Sequence, residues 1–223
     1  VRLPGAYVTE FVALNDRCYF TEGDRATLQV TDGTPAGTTT FLDLLPGSQD
    51  HFERLHVVGS HLWFVASSAT AGQELWSSDG TPAGTALALD SVPGTNGAYF
   101  HPVGSIGSLN LFSRDTGNDL RLWRSDGTAN GTYELIDRPP VTNAIGDGRY
   151  LWFATEDGAG RELWRTDGTV NGTMRMADLF PGVTSSLPHD FAVSNGRILF
   201  AATHPTLGIE PWVLTPGAVA QPI

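Results

Sequence analysis

The chain repeats itself, and that repetition constrains its fold more than any single residue does. The stretch Glu162-Leu163-Trp164-Arg165-Thr166-Asp167-Gly168-Thr169 is completed by Val170-Asn171-Gly172-Thr173. It returns as Glu74 to Thr85 (ELWSSDGTPAGT) and as Arg121 to Thr132 (RLWRSDGTANGT). A fourth copy, Thr27 to Thr38 (TLQVTDGTPAGT), keeps the second half and has lost the Glu and the Trp of the first. Each copy reads as two strands joined by a tight loop. The Leu-Trp pair favours an extended chain, and Asp-Gly is turn chemistry. An Asp at the turn start accepts a hydrogen bond from a backbone N–H two residues on, and the Gly tolerates positive φ. Asp32, Asp79, Asp126 and Asp167 are therefore read as structural turn formers.

Ahead of each such segment lies an apolar strand ending in Phe: Cys18-Tyr19-Phe20, Leu62-Trp63-Phe64, Asn110-Leu111-Phe112, Leu151-Trp152-Phe153 and Ile198-Leu199-Phe200. There are five of these. The fifth continues into Glu210-Pro211-Trp212-Val213-Leu214, a damaged copy of the Glu-Leu-Trp strand. A four-strand unit follows, exemplified by segments 54–58, 61–66, 74–77 and 85–90. No window shows a 3.6-residue hydrophobic period, so helical solenoids are excluded and the chain reads as all-β. Forty-odd residues with four antiparallel strands is the size of one propeller blade. The sequence thus predicts a single five-bladed β-propeller domain over 1–223, with repeats near 6–47, 48–94, 95–140, 141–182 and 183–223.

The fifth repeat runs out at Thr215-Pro216-Gly217 without a fourth strand. Val1-Arg2-Leu3-Pro4-Gly5 matches the tail of that strand in the other repeats, such as Asp178-Leu179-Phe180-Pro181-Gly182. Residues 1–3 are therefore expected to complete the last blade and close the ring, which removes an exposed sheet edge.

The pattern Glu-Leu-Trp-x-x-Asp-Gly-Thr, with its trailing Gly-Thr and an Asp-x-x-Pro-Gly beyond, resembles the ELWxxDGT-repeat proteins of bacteria. The resemblance covers essentially the whole chain. It departs from the pattern at Thr27, Gln29 and Arg121 and at Arg138-Pro139-Pro140, where the Pro-Gly loop is replaced. It implies a secreted or cell-surface bacterial location and no particular activity.

Composition narrows the function classes. The formal net charge is −11, with only 13 Lys and Arg, so a basic face for nucleic acid or anionic lipid is not expected. Cys18 is the lone cysteine and excludes an internal disulfide. No apolar run of about 18 residues exists, so no membrane insertion is expected. The chain starts at Val1 inside a strand-like segment and is expected to be a processed or excised domain.

Two readings of the tryptophans remain open. Trp76, Trp123, Trp164 and Trp212 share one repeat position, and Trp63 and Trp152 share another. They either fill the space between blades or line pockets where a sugar ring could stack. Glu74, Glu162 and Glu210 lie two residues before Trp76, Trp164 and Trp212, on the same strand face. These six are the candidate ligand-binding residues, since an aromatic face beside a carboxylate suits sugar hydroxyls. The competing reading gives the glutamates a bond to the neighbouring blade. A second acidic series, Asp43, Asp90, Asp137 and Asp178, precedes the next turns. Calcium needs about six oxygen ligands at once, often from alternating loop positions, and no D-x-D-x-D series occurs. The six histidines show no ligand spacing, and no H-E-x-x-H, G-x-S-x-G or phosphate loop is present. No metal, cofactor or catalytic residue is assigned. The expectation is a non-catalytic recognition module for a glycan or a cell-surface protein. The alternatives are a glycoside hydrolase-like enzyme with carboxylates at the propeller axis and a purely structural scaffold.

Overall fold

The computed structural model describes residues 7–22, 27–44, 52–117, 119–140, 144–215 and 220–223. Its strands are short because Gly, Asp-Gly and Asn turns interrupt every apolar run within a few residues. Blade 1 comprises β1 (Glu10–Leu14), β2 (Arg17–Thr21), β3 (Leu28–Thr31) and β4 (Thr39–Leu42). Blade 2 comprises β5 (Glu53–Val58), β6 (His61–Ala66), β7 (Glu74–Ser78) and β8 (Thr85–Leu89). Blade 3 comprises β9 (Tyr99–Ile106), β10 (Leu109–Asp115), β11 (Leu120–Ser125) and β12 (Tyr133–Ile136). Blade 4 comprises β13 (Ile145–Gly146), β14 (Leu151–Asp157), β15 (Gly160–Thr166) and β16 (Met174–Ala177). Blade 5 comprises β17 (His189–Ser194), β18 (Arg197–His204), β19 (Gly208–Leu214) and β20 (Gln221–Pro222). Each sheet pairs its strands in chain order, and no helix occurs among the described residues. The protein is all-β and built of five four-stranded antiparallel propeller blades.

The third and fourth strands of the first four blades share one irregularity. Register shifts between Leu28 and Gln29, Leu75 and Trp76, Leu122 and Trp123, and Leu163 and Trp164. In blade 2, Leu75 faces Leu89 while Trp76 faces Leu87, so Ala88 is the inserted residue. It is buried, as are Phe41 and Leu135 at the matching positions of blades 1 and 3. The bulge thus turns an extra side chain into the interior and strengthens the local twist.

The chain divides into two compact units. One holds Val1–His101, Arg114–Asp119 and Ser125–Thr132; the other holds Pro102–Ser113, Leu120–Arg124 and Tyr133–Ile223. The first has a core of Leu14, Tyr19, Leu28, Leu62 and Phe64, with Trp76 packed against it. The second has one cluster around Trp152, Leu163, Phe200 and Trp212 and another around Leu111, Leu122, Leu151 and Phe153.

The fifth blade differs from its expected composition. Its fourth strand comes from the C-terminal end: Trp212 pairs with Pro222, Val213 with Gln221, and the Ile223 amide donates to the Pro211 carbonyl at 2.8 Å. The chain does not run out after Thr215; it doubles back. The N-terminal segment assigned to this place by the sequence, residues 1–3, lies outside the described residues.

Candidate functional site

The Asp-Gly-Thr loops show why the repeat is written as it is. In the first loop Asp32 Oδ1 accepts the Thr34 amide at 2.9 Å and the Thr34 hydroxyl at 2.7 Å. Asp79 with Thr81, Asp126 with Thr128 and Asp167 with Thr169 repeat both bonds. The glycine between adopts φ near +90° in every copy: Gly33 +92°, Gly80 +94°, Gly127 +95° and Gly168 +85°. The four aspartates are turn formers. Hydrogen bonding from Thr34, Thr81 and Thr169 holds the carboxyls of Asp32, Asp79 and Asp167 below the usual carboxylate range.

The second glycine of the motif has a separate reason. A Cβ on Gly37, Gly84, Gly131 or Gly172 would lie 1.9–2.2 Å from the side chain of the loop's own aspartate. The Asp therefore folds over a residue that must lack a side chain. The sequence reading missed a further member, the hydroxyl residue just before the Asp. Thr31, Ser78, Ser125 and Thr166 each accept the amide of the first glycine, at 3.0–3.1 Å. Each also bonds the last Thr of the loop, at 2.5–2.8 Å. The signal was present, because that position is Ser or Thr in all four copies.

These loops also reach the preceding blade. The Tyr19 hydroxyl donates to the Gly80 carbonyl at 2.9 Å, and the Ser77 hydroxyl to that of Gly127 at 3.4 Å. Arg124 and Tyr133 donate to Gly168, at 3.2 and 3.4 Å.

Two of the three glutamates turn inward, and Glu210 is only half-buried. Glu74 is fully buried, and its carboxylate accepts the Ser91 amide, the Ser91 hydroxyl and the Val92 amide at 2.9–3.2 Å. Glu162 is equally buried and accepts the Leu179 and Ser186 amides at 2.9 and 3.0 Å and the Ser186 hydroxyl at 2.7 Å. Each clamps the loop leading to the next blade. Burial raises both carboxyls above the usual range although the hydrogen bonds oppose it. In blade 3 the same position carries Arg121, which meets Glu134 with both carboxylate oxygens at 2.9 Å.

The tryptophans pack rather than display. Trp63 and Trp152 are fully buried, and Trp212 is 5% exposed. Trp76 and Trp212 donate from Nε1 to the carbonyls of Ala66 and Ala202, which lie opposite the glutamate position in the adjacent strand. Trp164 is half-buried against the Leu111–Phe153 cluster, with the Arg138 guanidinium 5.8 Å from its ring. Glu210 and Trp212 line a cavity of about 390 Å³, together with Leu199, Ile209, Pro211 and Asp190. A larger cavity, about 590 Å³, lies elsewhere, between residues 67–73 and 95–99. A third, about 500 Å³, is bounded by the β1–β2 turn and the Asp79 loop. Among the described residues no group of three or more His, Cys, Asp or Glu is placed to hold a metal ion.

No family model matches this chain, and no curated protein matches it. Solved structures similar to it include a puromycin hydrolase S511A mutant complexed with PGG, 14% identical, with a TM-score of 0.49 over 97% of this chain and 44% of that one. The putative TolB of Agrobacterium tumefaciens is 11% identical, with a TM-score of 0.48 over 97% of this chain and 80% of its own. TolB of Acinetobacter baumannii is 15% identical, with a TM-score of 0.43 over 97% of this chain and 51% of its own. This chain therefore spans under half the length of the hydrolase and about half that of the Acinetobacter protein.

Proposed function

We propose that the chain is a non-catalytic recognition module of an exported bacterial protein, binding a glycan or another surface protein. One observation carries this reading. The repeated carboxylates Glu74 and Glu162 are already saturated by backbone and serine donors, so they hold loops in place instead of facing solvent. What the blades present outward is a set of rigidly held loops with clefts between them, which suits recognition. The exported location rests on the resemblance of the repeat to ELWxxDGT proteins.

A specific feature of blade 5 would suit a protein partner. The groove beside Trp212 is walled by Leu199, Ile209 and Pro211 and carries the two carboxylates Asp190 and Glu210. Ile209 and Ile223 there are 68% and 70% exposed. Such a groove suits an apolar peptide segment with a basic residue.

A glycan array, a glycosidase screen and a pull-down with cell-surface proteins test the module reading together. Retained binding without turnover is the expected result. Turnover of a glycoside would overturn the reading in favour of an enzyme, and silence in all three would leave only a scaffold role.

A further inference from the structure

The largest of the three cavities sits beside blade 2, whose central hairpin is more open than those of blades 4 and 5. In blades 4 and 5 the central hairpin pairs to its very turn, Asp157 with Gly160 and His204 with Gly208. In blade 2 the ladder between β6 and β7 stops at Ala66 with Glu74. Residues 67–73 then leave the sheet as a separate loop. Ser68 closes it locally: its hydroxyl accepts the Ala71 amide at 3.1 Å, and its own amide donates to the Ala71 carbonyl at 2.8 Å.

A second loop forms the other wall. Glu74 holds it at Ser91 and Val92, and main-chain bonds then join the two loops directly. The Gly72 amide donates to Gly94 at 2.9 Å, and the Ala98 amide donates to Gln73 at 2.9 Å. A Cβ on Gly72 would lie 2.2 Å from the Asn96 carbonyl oxygen, and one on Gly97 would lie 2.4 Å from the Gln73 nitrogen. Only glycine permits backbones this close, so the cleft is held from beneath and its shape is fixed.

The lining is uncharged. Ser67, Ser68, Gln73, Thr95, Asn96 and Tyr99 supply hydroxyls, amides and one phenol, and the rest is alanine and glycine. The Gln73 amide is fixed by donating to the Glu53 carboxylate. Tyr99 is 60% exposed and leaves its ring open at the rim. An anionic ligand would lose hydration here without meeting a counter-charge, and the Glu53 carboxylate behind Gln73 would repel it. A wholly apolar one would leave the hydroxyls and amides unpaired. A neutral polyhydroxylated ring satisfies both, with its apolar face against the phenol. The volume of about 590 Å³ falls in the range of small-ligand sites.

We propose that the cleft between residues 67–73 and 95–99 binds a neutral saccharide. This rests on the recognition-module reading and narrows it to one site of unlike sequence instead of several equivalent ones. Amide chemical shifts of the full chain, titrated with methyl glucoside, mannose and N-acetylglucosamine to about 20 mM, test it, with glucuronate as the charged comparison. At least one neutral sugar should shift amides within 67–73 and 94–99, and glucuronate should not. Tyr99→Ala should weaken that binding about tenfold or more, and Ala69→Trp, which fills the opening, should abolish it. Both positions are exposed, so thermal melting should stay unchanged; if Ala69→Trp melts early, Tyr99→Ala decides alone. Equal shifts with glucuronate, binding indifferent to Tyr99→Ala, or no shift with any neutral sugar would overturn the cleft assignment. Shifts confined to the Glu210–Trp212 groove would overturn it while leaving the module reading standing. The array and pull-down judge that reading separately.

Discussion

Glu74 and Glu162 show how a residue's place in a repeat can be legible while its partners are not. Their position two before a tryptophan was visible, and a structural bond was one of the two readings it left open. Their partners were not visible, because these are backbone N–H groups 17 to 24 residues away, which any residue but proline supplies. Truncating Glu162→Ala strands the Leu179 amide in the interior and leaves the Ser186 amide only its 3.1 Å bond to the Arg161 carbonyl. It should cost about 1–3 kcal/mol in denaturant unfolding, the cost of one buried unpaired donor. Glu162 also gives a pH signature. Its folded carboxyl lies above its ordinary value of 4.5, so the folded state holds the proton more tightly than the unfolded one. Stability from this group is therefore fully present below 4.5 and is lost as pH rises through the folded value. Asp167 is the opposite case: its contribution is present above 3.8 and is lost as pH falls through its lowered value. Melting temperature followed from pH 3 to 8 should decline at both ends. Glu162→Gln should remove part of the upper decline and leave the acid limb in place.

At the scale of the element, the Asp-Gly-Thr hairpin was the most legible part of the chain. Its requirements are local: an acceptor, a positive φ and a resumed strand, all encoded within eight residues. The second glycine is the sharper test of that local logic. Gly131→Ala puts a methyl group where the Asp126 carboxylate lies, at about 2 Å, so the Asp must swing out and surrender its bonds to Thr128. A loss of about 1–3 kcal/mol is expected, larger than Gly→Ala normally brings at an open loop position, and thermal unfolding of the variant checks it. The bulge between the third and fourth strands was not legible. It depends on which residue of the following strand turns into the core, and neither Ala88 nor Phe41 announces that by type.

For the whole molecule, five repeats meant five blades because each repeat holds one complete set of four strands. The end of the chain was read less well. Pro and Gly at Pro216-Gly217 suggested a stop, whereas Ala220 is buried against the Trp152–Trp212 cluster and Gln221–Pro222 complete the sheet. Removing residues 220–223 should expose the edge of β19 and lower the melting temperature by several degrees, as about 1–2 kcal/mol does for a domain of this size. An unchanged melting curve would show that the short strand contributes nothing. Which cleft takes a ligand was least legible, because residues 67–73 differ from the repeat and cleft shape depends on two loops meeting.

The joints between consecutive blades have an evolutionary consequence. In the three joints from blade 1 to blade 4, the loop of the later blade offers a main-chain carbonyl, of Gly80, Gly127 or Gly168. The earlier blade answers with a phenol, a serine hydroxyl or a guanidinium. One half of the joint is therefore independent of sequence, and only the other half must supply some donor within reach. A gene segment encoding one blade can be copied in tandem and drift afterwards without losing its hold on its neighbour. Pro82→Ala with Ala83→Asn gives the blade 2 loop the sequence of the blade 3 loop, and it should melt within about a degree of the parent.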